Sequence, residues 1–260
     1  MTKIDIALAS LEDCGPLLKV GFKPQDHLYF SDSAAMTELW EAMETADAAS
    51  RTVVLLQTPK DFLAPHTVDE FWQSAADAPL ETSLFGNQTR PHSVRAAAVA
   101  VTRFLEFLGT IPALVVVSCQ GQVDFDLLGL LLACNYRICT EETTFVNRTL
   151  ERNVPPGSAT PWFLSRILGY GRTQQLYLKC TSLNAKEALE LGIMDQAFTA
   201  DRLQAETLDV AEHFATKRAH AVRTLGNAMD LLNLDLPTFL NRAGSGFDGL
   251  LGTDPRGPRG

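Results

Sequence analysis

The sequence predicts an α/β protein in which mostly parallel strands alternate with helices. Two continuous apolar runs, TVVLLQ at 52–57 and ALVVVSC at 113–119, have the length and composition of buried strands. Segments with apolar residues at helical spacing lie between and after these strands. The composition, 46% hydrophobic and 20% charged over 260 residues, provides for a sizeable core.

The elements of the first half follow from local patterns. Residues 58–92 are mixed and rich in Pro, Asp, Thr and Asn, so we interpret them as a long surface excursion. The predicted elements are strands at 4–9 and 17–22, which pair around Cys14-Gly15, a helix from Ser33, a strand at 52–57, and a helix at 94–108.

The second half contains the most apolar helix of the chain. The segment 127–134 is apolar all round, so this helix must be central and buried. Asn184 with Glu187 resembles a capping box that opens a helix ending at Gly192. The remaining predicted elements are strands at 136–139, 143–147 and 193–198, and helices at 159–168, 172–179, 201–216 and 218–233.

Charge and composition limit the kinds of partner that the protein can bind and the cellular location that we expect for it. A net charge of -9 argues against nucleic acid or an anionic membrane as the main partner. No apolar run reaches the ~18 residues of a membrane helix, and the acidic first twenty residues do not make a signal peptide. We expect a cytoplasmic protein with reduced cysteines. The histidines show no metal-ligand spacing, so we expect no metal site.

Two aspartates, Asp124 and Asp126, stand in the turn between the strand at 113–119 and the apolar helix. This turn and another near 62–67 each follow a buried strand and precede a helix. Helix N-termini present free N–H groups, so two facing turns could stabilise a developing oxyanion. Two alternatives stay open: the turns are only loops, or Asp126 caps the helix with its side chain.

The segment from Ile111 to Phe198 resembles the crotonase (enoyl-CoA hydratase/isomerase) superfamily. The resemblance rests on LLACN at 131–135, PPG at 155–157, SATPWFLSRILG at 158–169 and NAKEALELGIMDQAF at 184–198. It implies a crotonase-like spiral of ββα units, a homotrimer or dimer of trimers, and acyl-CoA thioesters as substrates without a separate cofactor. We divide the chain into a ββα core at 1–199, a C-terminal helical oligomerisation region at 200–250 and a disordered tail at 251–260.

The resemblance also implies site residues. The family's oxyanion hole uses two backbone N–H groups, which fall on His66 in KDFLAPHTV and on Asp126, where the family has glycine. An ionised carboxylate at Asp126 would oppose an oxyanion, whereas a protonated one could donate to it. The candidate catalytic residues are His66, Asp124, Asp126 and Glu151. The candidate substrate-binding residues are Lys23, Ala64, Phe125, Thr149 and Gly157.

The family's two catalytic glutamates align with Gly129 and Thr149, so hydration by a glutamate pair is not supported. The aspartate nucleophile of dehalogenase-type members aligns with Gly157. Two hypotheses follow. The chain is an enzyme that acts on an acyl-CoA or carrier-bound acyl thioester and forms its enolate for isomerisation, decarboxylation or C–C hydrolysis. Alternatively, it is a catalytically vestigial protein that binds an acyl ligand or serves as an oligomer subunit.

Overall fold

The computed structural model of the chain describes residues 3–24, 32–77, 81–82, 88–89, 92–217 and 221. The strands are β1 (Lys3–Asp5), β2 (Ala9–Cys14), β3 (Leu17–Phe22), β4 (Val53–Gln57), β5 (Glu81–Thr82), β6 (Gln88–Thr89), β7 (Leu114–Cys119), β8 (Gln122–Asp124), β9 (Tyr136–Thr140), β10 (Thr144–Val146), β11 (Ser182–Asn184) and β12 (Gln196–Phe198). The helices are α1 (Ser33–Thr45), α2 (Pro65–Asp77), α3 (His92–Thr110), α4 (Phe125–Leu132), α5 (Thr149–Arg152), α6 (Thr160–Leu168), α7 (Tyr170–Lys179), α8 (Ala185–Glu190) and α9 (Leu203–Ala215).

A seven-stranded sheet in the order β1-β2-β3-β4-β7-β9-β12 organises the fold. Pairing is antiparallel from β1 to β3 and parallel from β3 to β12. A smaller sheet in the order β11-β10-β8 lies beside it, and β5 pairs with β6. The predicted α/β class with mainly parallel pairing is confirmed.

Both faces of the large sheet are covered, which explains the continuous apolar runs in its central strands. Val54 and Leu56 of β4 belong to the larger core cluster, which includes α1, α3 and α4. Val53 and Leu55 face the other side and join a smaller cluster with Leu203 of α9. Because successive side chains alternate between faces, a strand with two covered faces must be apolar at every position.

Two local predictions were wrong. The partner of β3 is β2, not the segment 4–9, because residues 6–8 form a turn closed by the bond from the Ile6 amide to the Ala9 carbonyl, at 2.9 Å. The interval 58–92 contains the thirteen-residue helix α2, so it is not one surface excursion. Pro65 opens that helix, a position where proline's missing N–H breaks no helical bond.

The capping box at the start of α8 is confirmed. The Asn184 side chain accepts from the Glu187 amide at 2.9 Å, and the Glu187 carboxylate accepts from the Asn184 amide at 2.8 Å. The predicted helix at 218–233, apart from residue 221, and the tail at 251–260 lie outside the described residues, and the division at residue 199 stays a prediction. Of the helices described, none combines the length and apolarity needed to cross a bilayer.

Helices α4 and α6 approach so closely at Gly129 that no side chain fits. A Cβ atom built there would lie 1.7 Å from the Ser158 carbonyl oxygen and 3.0 Å from the Thr160 nitrogen. The Thr160 hydroxyl ties the two helices together, since it accepts from the Gly129 amide and donates to the Phe125 carbonyl, both at 2.8 Å. Gly129 therefore sets the distance between the most buried helix and the segment that follows Gly157.

We expect Gly129→Ala to lower the free energy of unfolding by about 1–3 kcal/mol, because the clash is with backbone atoms that cannot rotate away. Urea denaturation measures this loss. Gly171→Ala in α7 is the matched control, since its Cβ would meet nothing within 4 Å. The control should stabilise the helix by roughly 0.5–1 kcal/mol. Equal effects of the two changes would contradict the close approach.

Candidate functional site

The candidate site lies where two strand-to-helix turns meet. The Asp124 amide donates to the Leu63 carbonyl at 2.7 Å, and Leu63 forms a parallel bridge with Val123. The Asp61 carboxylate fastens the same junction by accepting from the Gln122 amide at 2.7 Å. The two turns singled out in the sequence are therefore in direct contact.

Asp124 caps helix α4. Its carboxylate is completely buried, and its Oδ1 accepts a hydrogen bond from the Asp126 amide at 2.8 Å. The helix begins at Phe125, two residues before the predicted start, so the cap is Asp124 and not Asp126. Consequently the Asp126 amide, which the resemblance assigns to the oxyanion hole, already has an acceptor.

The guanidinium of Arg152, at the end of α5, joins the parts of the site. Its Nη1 lies 3.0 Å from both Asp124 Oδ1 and Asp126 Oδ2, and its Nη2 lies 2.6 Å from Asp124 Oδ2. Its Nε donates to Asp69 of α2 at 2.7 Å, and Nη2 also contacts the Pro65 carbonyl at 3.3 Å. With only 7% of its side chain exposed, Arg152 is shielded from water. We call Arg152, Asp69, Asp124 and Asp126 the Arg152 cluster.

Asp126 has further partners. The Thr149 hydroxyl donates to its Oδ1 at 3.0 Å, and the Gly157 amide approaches the same oxygen at 3.3 Å. Thr149, which the resemblance aligns with the family's second glutamate, is buried. The structure thus brings three of the sequence-predicted residues, Asp124, Thr149 and Gly157, into direct contact with a fourth, Asp126.

The electrostatics of the cluster follow from its burial. Burial raises the pKa of Asp126, the charge of Asp124 adds to the effect, and the pKa reaches about 6 although Arg152, Thr149 and Gly157 oppose it. For Arg152, burial lowers the pKa, but the hydrogen bonds and charges of its aspartates outweigh it, so the pKa is raised. Arg152 is therefore permanently charged, whereas Asp126 can change charge near neutral pH.

The remaining sequence-predicted residues lie outside this network of contacts. Glu151 is 67% exposed and pairs with Arg148 at 3.6 Å. His66 is the second residue of α2, and its side chain is exposed. Lys23 is paired with Asp5 at 2.9 Å and donates to the Ile6 carbonyl at 2.5 Å. Ala64 is buried in the first turn.

Phe125 is completely buried behind the turn. Its ring lies edge-to-face against Tyr177 of α7, with the centroids 6.0 Å apart. A small apolar cavity of about 30 Å³ opens behind Leu63, between Phe22, Phe62 and Leu130. That volume holds about one or two water molecules, so it is not large enough for an acyl chain.

Sequence reasoning missed Arg152, Asp69 and Tyr177. No periodicity or motif links residue 152 to residues 124 and 69, because these contacts join distant parts of the chain. The one available signal was electrostatic. A buried pair of aspartates such as Asp124 and Asp126 requires a cation, and an arginine is the residue type that most often supplies it inside a protein.

The comparisons with known proteins give consistent results. The family model for enoyl-CoA hydratase/isomerase matches residues 23–237. Bacillus subtilis (strain 168) has a relative described as a probable enoyl-CoA hydratase, 25% identical over 187 residues, covering 72% of this chain and 66% of the relative. An Arthrobacter 4-chlorobenzoyl coenzyme A dehalogenase is 29% identical over 93 residues, or 36% of this chain and 34% of the relative. The chain thus spans about a third of this dehalogenase.

Solved structures agree with the fold. The enoyl-CoA hydratase from Bacillus halodurans superposes with a TM-score of 0.73 at 19% identity, covering 95% of this chain and 94% of that one. The enoyl-CoA hydratase from Bacillus anthracis gives a TM-score of 0.72 at 22% identity, covering 95% and 92%. The crotonase-like fold expected from the sequence is confirmed, and the chain belongs to the enoyl-CoA hydratase/isomerase family of the crotonase superfamily.

Proposed function

We propose that this chain binds an acyl thioester, such as an acyl-CoA, at the junction of the two turns and does not carry out the enolate chemistry of hydratases. The observation that carries the proposal is the hydrogen bond from the Asp126 amide to the Asp124 carboxylate at 2.8 Å. An oxyanion hole needs N–H donors that are free to face the oxygen on which charge develops. Here the second donor is already occupied by a buried anion.

The charge of the surroundings supports the same proposal. Three carboxylates, those of Asp69, Asp124 and Asp126, surround the single guanidinium of Arg152. Arg148 adds a second cation at the edge of the cluster, where it pairs with Asp69. When Asp126 is ionised, the acids outnumber the bases, and the excess negative charge raises the energy of an enolate oxyanion nearby.

The positions of the family's glutamates offer no replacement acid or base. Gly129 is packed against the Ser158 carbonyl and has no room for a side chain. The Thr149 hydroxyl already donates its hydrogen bond to Asp126. Entry of a ligand carbonyl at this junction requires the Arg152 side chain to withdraw. Arg152 belongs to α5, a four-residue helix in which Leu150 is 59% exposed. Withdrawal of Arg152 has to break its hydrogen bonds to Asp69, Asp124 and Asp126.

One observation favours the second candidate, an enzyme that uses Asp126 as its acid or base. The pKa of Asp126, raised by burial and by the charge of Asp124 to about 6, lies close to the pH at which a proton-transfer group works best. Such an enzyme would show a rate that changes across pH 6. A bound but unconverted thioester would show no such profile.

The test is calorimetry with acetyl-CoA and crotonyl-CoA, with the free acids and CoA alone as controls, followed by product analysis of each mixture. We expect binding of the thioesters without conversion. Conversion with a rate that titrates near pH 6 and is lost in Asp126→Asn would establish the second candidate instead. Absence of binding to any thioester would overturn the proposal. Trimer formation and a cytoplasmic location stay predictions, which mass photometry and cell fractionation test.

A further inference from the structure

The polar groups around Asp126 are already engaged, with one exception. The Asp126 amide, both aspartate carboxylates, the Thr149 hydroxyl and the Arg152 guanidinium all have partners at hydrogen-bond distance. The exception is the hydroxyl of Tyr177. Its oxygen is completely buried and has no hydrogen-bond partner among the residues that the structure describes. A buried unpaired hydroxyl carries a free-energy cost, so its presence beside the Arg152 cluster calls for an explanation.

The position of Tyr177 is firmly determined. The Asn147 side-chain amide donates to the carbonyls of Leu176, Tyr177 and Cys180, at 3.3, 3.2 and 2.9 Å, and so holds the end of α7. The Tyr177 ring meets Phe125 edge-to-face. Since Phe125 stands between Asp124 and Asp126 in the chain, the phenol lies against the first turn of α4.

The Tyr177 phenol is available as a hydrogen-bond donor at this place. Burial raises its pKa, and the negative charges of Asp126 and Asp124 raise it further, so the phenol stays protonated at neutral pH. The same two carboxylates repel an anionic acceptor. A neutral carbonyl oxygen accepts the hydrogen bond without that repulsion.

We propose that the Tyr177 hydroxyl is the hydrogen-bond donor that this site offers to the carbonyl oxygen of a bound acyl group, in place of the occupied Asp126 amide. This inference rests on the proposed function. It predicts selectivity for acyl groups whose carbonyl is uncharged, such as thioesters, over the corresponding carboxylates. The geometry also separates this role from structural packing, because the ring packs on Phe125 while the hydroxyl has no protein partner.

Tyr177→Phe tests the inference, since it removes the hydroxyl and keeps the ring. We expect acetyl-CoA to bind about 5–10-fold more weakly, the effect of one neutral hydrogen bond. Thermal stability should not fall, because no bond within the protein is lost and a buried unpaired hydroxyl is removed. With acetyl-CoA labelled by ¹³C at the carbonyl, the carbonyl stretch should shift to lower frequency in the wild-type complex and stay at its solution value in the variant.

The matched control is Tyr136→Phe, which changes a half-buried tyrosine that packs edge-to-face against Phe214 in the smaller cluster. It should leave both affinity and carbonyl frequency unchanged. If the wild type binds acetyl-CoA and Tyr177→Phe changes neither the affinity nor the carbonyl stretching frequency, this inference is overturned and the proposed function stands. A loss of stability in the variant with an unchanged carbonyl frequency would also overturn it. No binding of thioesters by the wild type would overturn both.

Discussion

Replacing Arg152 by alanine should lower the free energy of unfolding by about 3–5 kcal/mol, measured by urea denaturation near pH 7. The guanidinium bonds to Asp69, Asp124 and Asp126, and only 7% of its side chain is exposed. Removing the cation leaves two buried carboxylates side by side without compensation, which is the costly way to break a buried ion pair. The loss should exceed that of any change to a surface ion pair in this chain.

Arg148→Ala is the control for this experiment. Arg148 is the residue that directly precedes α5. It also pairs with Asp69, but 45% of its side chain is exposed. Exposed ion pairs contribute about 0–1 kcal/mol, so this variant should be nearly as stable as the wild type. A loss below about 1 kcal/mol for Arg152→Ala, equal to that of the control, would show that the cluster does not hold the two turns together.

The stability of the wild type should fall as the pH rises through about 6, and Asp126→Asn should abolish this component. The folded-state pKa of Asp126, raised by burial and by the charge of Asp124, is about 6, against an ordinary value of 3.8. Between these values the folded protein keeps a proton that the unfolded chain has lost. The proton on Asp126 therefore adds about 3 kcal/mol to the free energy of unfolding below pH 3.8, and this stabilisation is lost as the pH rises through 6.

Asparagine mimics the protonated carboxyl group, and it cannot ionise. We therefore expect Asp126→Asn to match the wild type near pH 4 and to exceed it by up to about 3 kcal/mol near pH 8. The difference between the two unfolding curves isolates this group, because every other titration is common to both proteins. A difference that stays constant with pH, or one in which the wild type gains stability as the pH rises, would contradict a raised pKa.

The parts of the fold that sequence could predict are those specified by neighbouring residues. Continuous apolar runs identified β4 and β7, and the spacing of Asn184 and Glu187 identified the start of α8. The turn near 62–67 indicated that a helix follows, but the extent of α2 was not predicted, because its residues are largely polar and it opens with Pro65. In the helix, that proline occupies the first position, where it costs nothing.

The candidate site was harder to predict because its decisive contacts are remote in sequence. Asp124 and Asp126 identified the turn before α4. The helix starts at Phe125, two residues before its apolar run, so Asp124 and not Asp126 caps it. The bonds from Arg152 to Asp69 and Asp124 span 83 and 28 residues, and no local pattern encodes such a distance. The pairing emerges only once α2, α4 and α5 are packed together.

The close approach at Gly129 has a consequence for any attempt to engineer hydratase activity into this chain. The resemblance to the crotonase superfamily aligns a glutamate with this position, but the Cβ of any side chain here would lie 1.7 Å from the Ser158 carbonyl oxygen. Reinstating the two glutamates by substitution alone therefore fails at the first step. The segment from 155 to 160 would have to be rebuilt to move that carbonyl away, so the barrier to introducing a glutamate here lies in the backbone rather than in the side chains.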